Sequence, residues 1–194
     1  MNPLKSVLGT IISGFVLAII IMIAVGKGEF YAITLSAWFH VMFGVIWIGL
    51  LYYFNFVQVP GVGKALADKE PGPAAINKYI APSALLWFRW AAVGTWITGM
   101  GLLGPNVKAA FTLSDGFVVI GIGAWLGTIM LLNVWGLIWR NQKKILGLDG
   151  KTHAPEVIAK AKTVALMASR TNTLLSIPML MCMVAYGHGN LLPY

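Results

Sequence analysis

The sequence predicts an all-α integral membrane protein: five transmembrane helices in one bundle, N-terminus cytoplasmic and C-terminus periplasmic. Three observations predict it. Of 194 residues, 58% are hydrophobic and only 10% charged, against about 25% charged in an ordinary soluble domain. Mean hydropathy is +0.79. The cationic residues stand almost entirely between long apolar runs rather than inside them. A net charge of +8 would suggest nucleic acid in a soluble chain; in this arrangement it marks an inner-membrane protein with no nucleic-acid partner. One cysteine, Cys182, excludes an internal disulfide, a CxxC zinc site and a CxxCH haem attachment.

A hydrocarbon core about 30 Å thick takes roughly 20 apolar helical residues. Five stretches satisfy this, at about 8–26, 31–58, 80–104, 117–139 and 165–187, in a single membrane domain, 1–194. The first has Lys5 before it and Lys27 after it. It is long for the apolar region of a signal peptide and ends Ile23-Ala24-Val25-Gly26 without an A-x-A site, so it reads as a retained helix. The second to fifth follow at connections rich in Pro, Gly and Lys, including Pro60, Gly61, Gly63, Pro71, Gly72 and Pro73.

Orientation follows from the basic residues. With the N-terminus inside, the cytoplasmic face holds Lys5, Lys64, Lys69, Lys78, Arg140, Lys143, Lys144, Lys151, Lys160 and Lys162, and the other face only Lys27 and Lys108. The loops 59–79 and 140–163 are therefore cytoplasmic, and the protein belongs to a bacterial inner membrane in contact with lipid. Helices two and four share the pattern W-[IL]-G-x5-N, in Trp47-Ile48-Gly49 to Asn55 and Trp125-Leu126-Gly127 to Asn133, which suggests a duplicated two-helix unit.

Within the spans, ionisable residues are costly and are the first functional candidates. His40 lies about nine residues, or ~14 Å, into the second span. Gly44 follows one turn on and leaves room beside the imidazole for a flat macrocycle, while Trp47 and Leu51 continue the face. A neutral imidazole is a standard axial ligand of b-type haem; the competing reading is a histidine hydrogen-bonded to a neighbouring helix. His188 ends the fifth span on the side nearer His40. Counted from the cytoplasmic ends, the two differ in depth by about five residues, roughly 7 Å, so His40 and His188 are the candidate metal ligands. Gly187 and Gly189 argue for a flexible end there. His153 falls in a cytoplasmic loop.

Arg89 and Arg170 stand at the inner parts of the third and fifth spans, and no Asp or Glu lies within any span. Their partners are then backbone carbonyls, lipid phosphate, a haem propionate or an anionic substrate. A carboxylate proton relay is excluded on the same ground. No acid/base pair, catalytic triad, HExxH or phosphate-binding glycine loop occurs. Gly123-x-x-x-Gly127 fits close helix packing. Met179, Met181 and Met183 alternate, which argues against a copper-binding methionine face.

Four stretches carry a resemblance: Phe39-His40-Val41-Met42-Phe43-Gly44-Val45-Ile46-Trp47-Ile48-Gly49; Leu86-Trp87-Phe88-Arg89-Trp90 with Thr95-Trp96-Ile97-Thr98-Gly99; Gly127-Thr128-Ile129-Met130 with Asn133 and Asn141-Gln142-Lys143-Lys144; and Asn172 to Pro178 with Met179-Leu180. In this order, over about 35–188, they resemble the N-terminal membrane domain of bacterial urate oxidases that end in a cytochrome c domain. More loosely, a histidine early in a Trp-Ile-Gly helix is similar to membrane protoporphyrinogen oxidases and copper-resistance membrane proteins. The departures are the missing CxxCH and Leu86, where the family pattern would place a histidine. The resemblance implies a redox membrane bundle. It would hold one b-type haem (haem b) at His40 and pass electrons to or from a separate cytochrome, enzyme or other membrane-protein partner. Gly44, His188, Arg89 and Arg170 would be further cofactor contacts. Two other readings stand beside it: a non-catalytic accessory subunit of a larger membrane complex, and direct oxidation of urate or another purine with Arg89 or Arg170 holding the anion.

Overall fold

In the computed structural model, residues 2–26, 31–70 and 72–189 are described, and among them all regular structure is helical. Lys27, Glu29 and Pro71 lie outside the described residues. Residues 1–35 and 36–194 form two compact units.

In the first unit, α1 (Val7–Val25) starts from Ser6, whose Oγ accepts a hydrogen bond from the Gly9 amide at 3.0 Å. None of its side chains is buried. A helix apolar on every side is one whose surroundings are themselves apolar.

The second unit is built on four long helices. The first, α2 (Ala32–Asp68), begins before the unit boundary; α3 (Ala81–Leu103) follows a π-helical turn, Ile76–Ile80. Then come the short α4 (Val107–Phe111), α5 (Val118–Ile145) and α6 (Pro155–His188). Three helices, α1, α2 and α5, are long and apolar enough to cross a membrane. α6 is longer than needed at 34 residues, but its first turns carry Glu156, Lys160 and Lys162. α3 ends at Gly104, whose φ of 50° with ψ of −123° is open to glycine and strained for any other residue.

The loops read from sequence at 59–79 and 140–163 are largely helical, because α2, α5 and α6 run past the apolar stretches. In α2 the pitch widens to a π turn at Phe54–Gln58, and Pro60 falls in the first turn after it. A proline is tolerated there because the hydrogen-bond ladder is already being reset. α5 has the matching feature, a π turn at Val134–Trp139. Both W-[IL]-G-x5-N patterns thus lead into π turns. The asparagines, however, do not pair as a duplicated two-helix unit requires. Asn55 Nδ2 donates to Ser169 Oγ at 2.8 Å and Asn133 Nδ2 to Asn172 Oδ1 at 2.7 Å, so both reach α6.

The core lies at mid-height, where Trp47 and Leu51 of α2 meet Leu85, Phe88 and Ala92 of α3, Met130 and Val134 of α5 and Ala168 of α6. α5 and α6 approach closely. A Cβ at Gly123 would come within 3.0 Å of Cys182 Cβ, so the glycine sets that distance. Asn172, fully buried, returns a bond from Nδ2 to the Met130 carbonyl at 3.0 Å.

Candidate functional site

One end of the four-helix unit holds an open cavity of about 530 Å³, within the 300–1,000 Å³ usual for small-molecule and cofactor sites. Its walls are the first half of α2, the last half of α3, the first half of α5 and the end of α6. His40 and His188, 148 positions apart in sequence, both line it.

The ring of His40 is fixed from α3. Its Nδ1 lies 2.8 Å from the Thr95 carbonyl oxygen. A carbonyl can only accept, so Nδ1 carries the proton and Nε2 keeps its lone pair. Thr98 Oγ1 stands 3.4 Å from the same nitrogen while donating its own proton to the Gly94 carbonyl at 2.7 Å. The ring lies against Gly99, where a Cβ would be 3.0 Å from His40 Cε1 and 3.3 Å from Nδ1. Phe43, one turn along α2, rests on Gly94 in the same way, a Cβ there meeting the ring at 2.7 Å. Two glycines of α3 thus admit two rings of α2.

Trp47 lines the cavity from two turns below His40, ~10.5 Å along the helix at 1.5 Å per residue. It is 2% exposed and its Nε1–H has no hydrogen-bond partner. A buried donor left unpaired is uncommon enough to need a reason, and an acceptor on a bound group supplies one. Met100, Met179 and Met183 also line the cavity, and Met179 and Met183, four residues apart, share a face that the alternating sequence conceals.

The other predicted contacts lie elsewhere. Gly44 is not in the wall; a Cβ there would be 3.9 Å from Thr95 Cγ2, an ordinary packing contact, and Gly99 takes the place expected of it. Arg89 is held over the Trp139 ring, 3.8 Å from guanidinium carbon to centroid, which answers its charge without an anion. Arg170 is exposed, and neither arginine reaches the cavity. Among the described residues no three His, Cys, Asp or Glu side chains cluster as a metal site. His153 instead donates from Nε2 to Asp149 Oδ2 at 2.7 Å in the loop before α6.

Tested against a b-type haem, the residues fit. The site offers an oriented imidazole with a free Nε2, a second histidine, thioethers of axial-ligand type, a glycine-lined slot and one unpaired donor. Comparison with known families adds that residues 106–192 match the urate oxidase N-terminal family. This stretch is a urate oxidase N-terminal-like domain. It takes in α4, α5 and α6 with Arg170 and His188, while His40 and Arg89 lie before it. No curated protein and no solved structure matches the chain. The urate oxidase-like stretch therefore supplies two walls of the cavity, and α2 and α3, outside the match, supply the fixed histidine.

Proposed function

We propose that this chain is an inner-membrane redox protein that binds one b-type haem and relays electrons to or from a separate cytochrome or enzyme. The observation that carries the reading is the His40 ring, its Nδ1 proton committed to the Thr95 carbonyl and its Nε2 left unpaired, in the wall of a cavity that His188 also lines. His40 and His188 would hold the haem iron. A haem in this place supplies reversible one-electron transfer.

This chain's residues do the rest. Thr95 holds the imidazole in one tautomer and raises its basicity as a ligand, the usual work of a carbonyl behind a metal-bound histidine. Gly99 keeps clear the space the ring occupies. Trp47 Nε1 would donate to an acceptor on the bound group, against largely apolar walls. With the five-span, N-inside topology read from the sequence, this end of the bundle would face the periplasm, where a soluble cytochrome would dock.

The test is a dithionite-reduced minus oxidised absorption spectrum of the purified protein, with pyridine haemochrome to count haem. A b-type α-band near one haem per chain is expected, lost in His40→Ala. A flat spectrum from protein extracted with its partners attached, or unchanged haem in His40→Ala, overturns the assignment and leaves an accessory subunit as the reading.

A further inference from the structure

A second cavity, about 380 Å³, occupies the opposite end of the same four helices, between the later half of α2, the start of α3, the end of α5 and the start of α6. Its floor is apolar, with Phe54 and Phe88 edge to face at 5.4 Å and 85°. About one turn above the floor the character changes. Gln58 comes from α2, Gln142 from α5 and Ser169 from α6. Lys162 and Asn77 are exposed at the mouth, and no acidic residue lines the cavity.

Two observations mark a ligand site rather than a packing defect. Gln58 Oε1 is buried and has no hydrogen-bond partner, although buried amides are almost always paired. Gln58 also closes the π turn Phe54–Gln58, a distortion that re-aims side chains and recurs at functional sites. Ser169 Oγ already accepts from Asn55 Nδ2 at 2.8 Å, which leaves its own proton to give.

We propose that this cavity binds the headgroup of a membrane quinone. A purely apolar guest would leave the Gln58 amide unanswered. A tightly held anion would call for cations inside, whereas the inner polar groups are two neutral carboxamides and a hydroxyl. A quinone ring carries a carbonyl acceptor on each of two opposite edges, and its reduced form carries hydroxyl donors at the same places. A carboxamide turned about its last bond presents either NH₂ or C=O, so Gln58 and Gln142 match both forms. The flat ring suits the aromatic floor. The choice of a redox-active ligand rests on the redox reading above; the orphan amide and the cavity do not.

The experiment is a calorimetric titration of the detergent-purified protein with decylubiquinone, repeated on Gln58→Leu, Gln142→Leu and His40→Ala. Saturable binding near one per chain is expected, weakened about tenfold or more in each glutamine variant, as loss of a hydrogen bond implies. His40→Ala should bind as the wild type does. If one glutamine variant does not yield folded, monodisperse protein, the other decides. Absent saturable binding, or binding unchanged by both glutamine changes, overturns the proposal. So does loss in Lys162→Ala alone with displacement by oleate, which would make this an anionic-lipid site. A flat haem spectrum with quinone binding intact removes only the haem reading; a haem band without quinone binding removes only this one.

Discussion

At the scale of single residues, what distinguishes His40 is the set of atoms that hold it. An intramembrane histidine with no fixed partner would rotate and protonate freely. Here the Thr95 carbonyl settles which nitrogen is protonated, and Gly99 settles where the ring lies. Gly99→Val should therefore displace the imidazole, since its Cβ would stand 3.0 Å from Cε1. We expect haem per chain to fall sharply while the far-ultraviolet helix signal stays; normal haem content in a folded Gly99→Val protein would show that the ring's seat is irrelevant. His40 was legible because an ionisable residue in an apolar run stands out. Gly99 was not, since a sequence gives the spacing along one helix but not which residue of a neighbour faces it. The same blindness favoured Gly44, which is close to His40 along the chain, over Gly99, which is close in space. Outside the membrane, the hydrogen bond from His153 holds the Asp149 carboxyl below the usual carboxylate range, with smaller help from the Lys151 amide. A carboxyl whose folded-state pKa is depressed contributes stability above its unfolded value of about 3.9, and that contribution is lost as pH falls through the folded value. His153→Ala should move the Asp149 titration upward, read by carboxyl carbon NMR; an unmoved titration would mean the bond is not formed in solution.

At the scale of elements, α5 and α6 are joined by polar bonds as well as by packing. Asn133 Nδ2 donates to Asn172 Oδ1 and to the Ala168 carbonyl at 2.9 Å, and Asn172 Nδ2 donates back to α5. In an apolar surrounding each bond contributes about 1 kcal/mol, less where the unfolded helices find other partners. Asn172→Ala breaks two of them and leaves the Asn133 amide with the Ala168 carbonyl alone, so it should lower resistance to detergent unfolding by about 1–2 kcal/mol. The check is an SDS titration followed by circular dichroism, and a midpoint equal to wild type would remove Asn172 from the joint. The helix positions were legible because twenty apolar residues in a row leave few alternatives. The π turns were not. They begin at Phe54 and Val134, beside Asn55 and Asn133, whose side chains are drawn to α6, and such a cause lies in the packing partner rather than in local propensity. Missing them also cost the true length of α2: a chain that resets its hydrogen-bond ladder at Gln58 can carry Pro60 and stay helical to Asp68.

At the scale of the whole four-helix unit, the two cavities report on direction. The first takes residues 37–47 of α2, 95–103 of α3, 120–127 of α5 and 179–188 of α6; the second takes 54–66, 77–88, 138–146 and 162–169. Successive helices enter each cavity by opposite ends, so they alternate up and down. The basic residues follow the same division. Lys64, Lys69, Lys78, Arg140, Lys143, Lys144 and Lys162 belong with the second cavity's end, and Lys108 with the first. If the positive-inside bias read from the sequence holds, the second cavity faces the cytoplasm and the histidine cavity the periplasm. Placing a reporter in each exposed turn tests this directly. Alkaline phosphatase inserted between Thr112 and Gly116 should be active, because that enzyme matures only in the periplasm. The same insertion between Gly147 and Thr152 should be inactive, and a fluorescent protein there should glow. The reverse pattern would put His40 on the cytoplasmic side, within reach of a cytoplasmic reductase and out of reach of a periplasmic cytochrome. The partner proposed here would then have to be sought on the cytoplasmic side even if the haem itself were found.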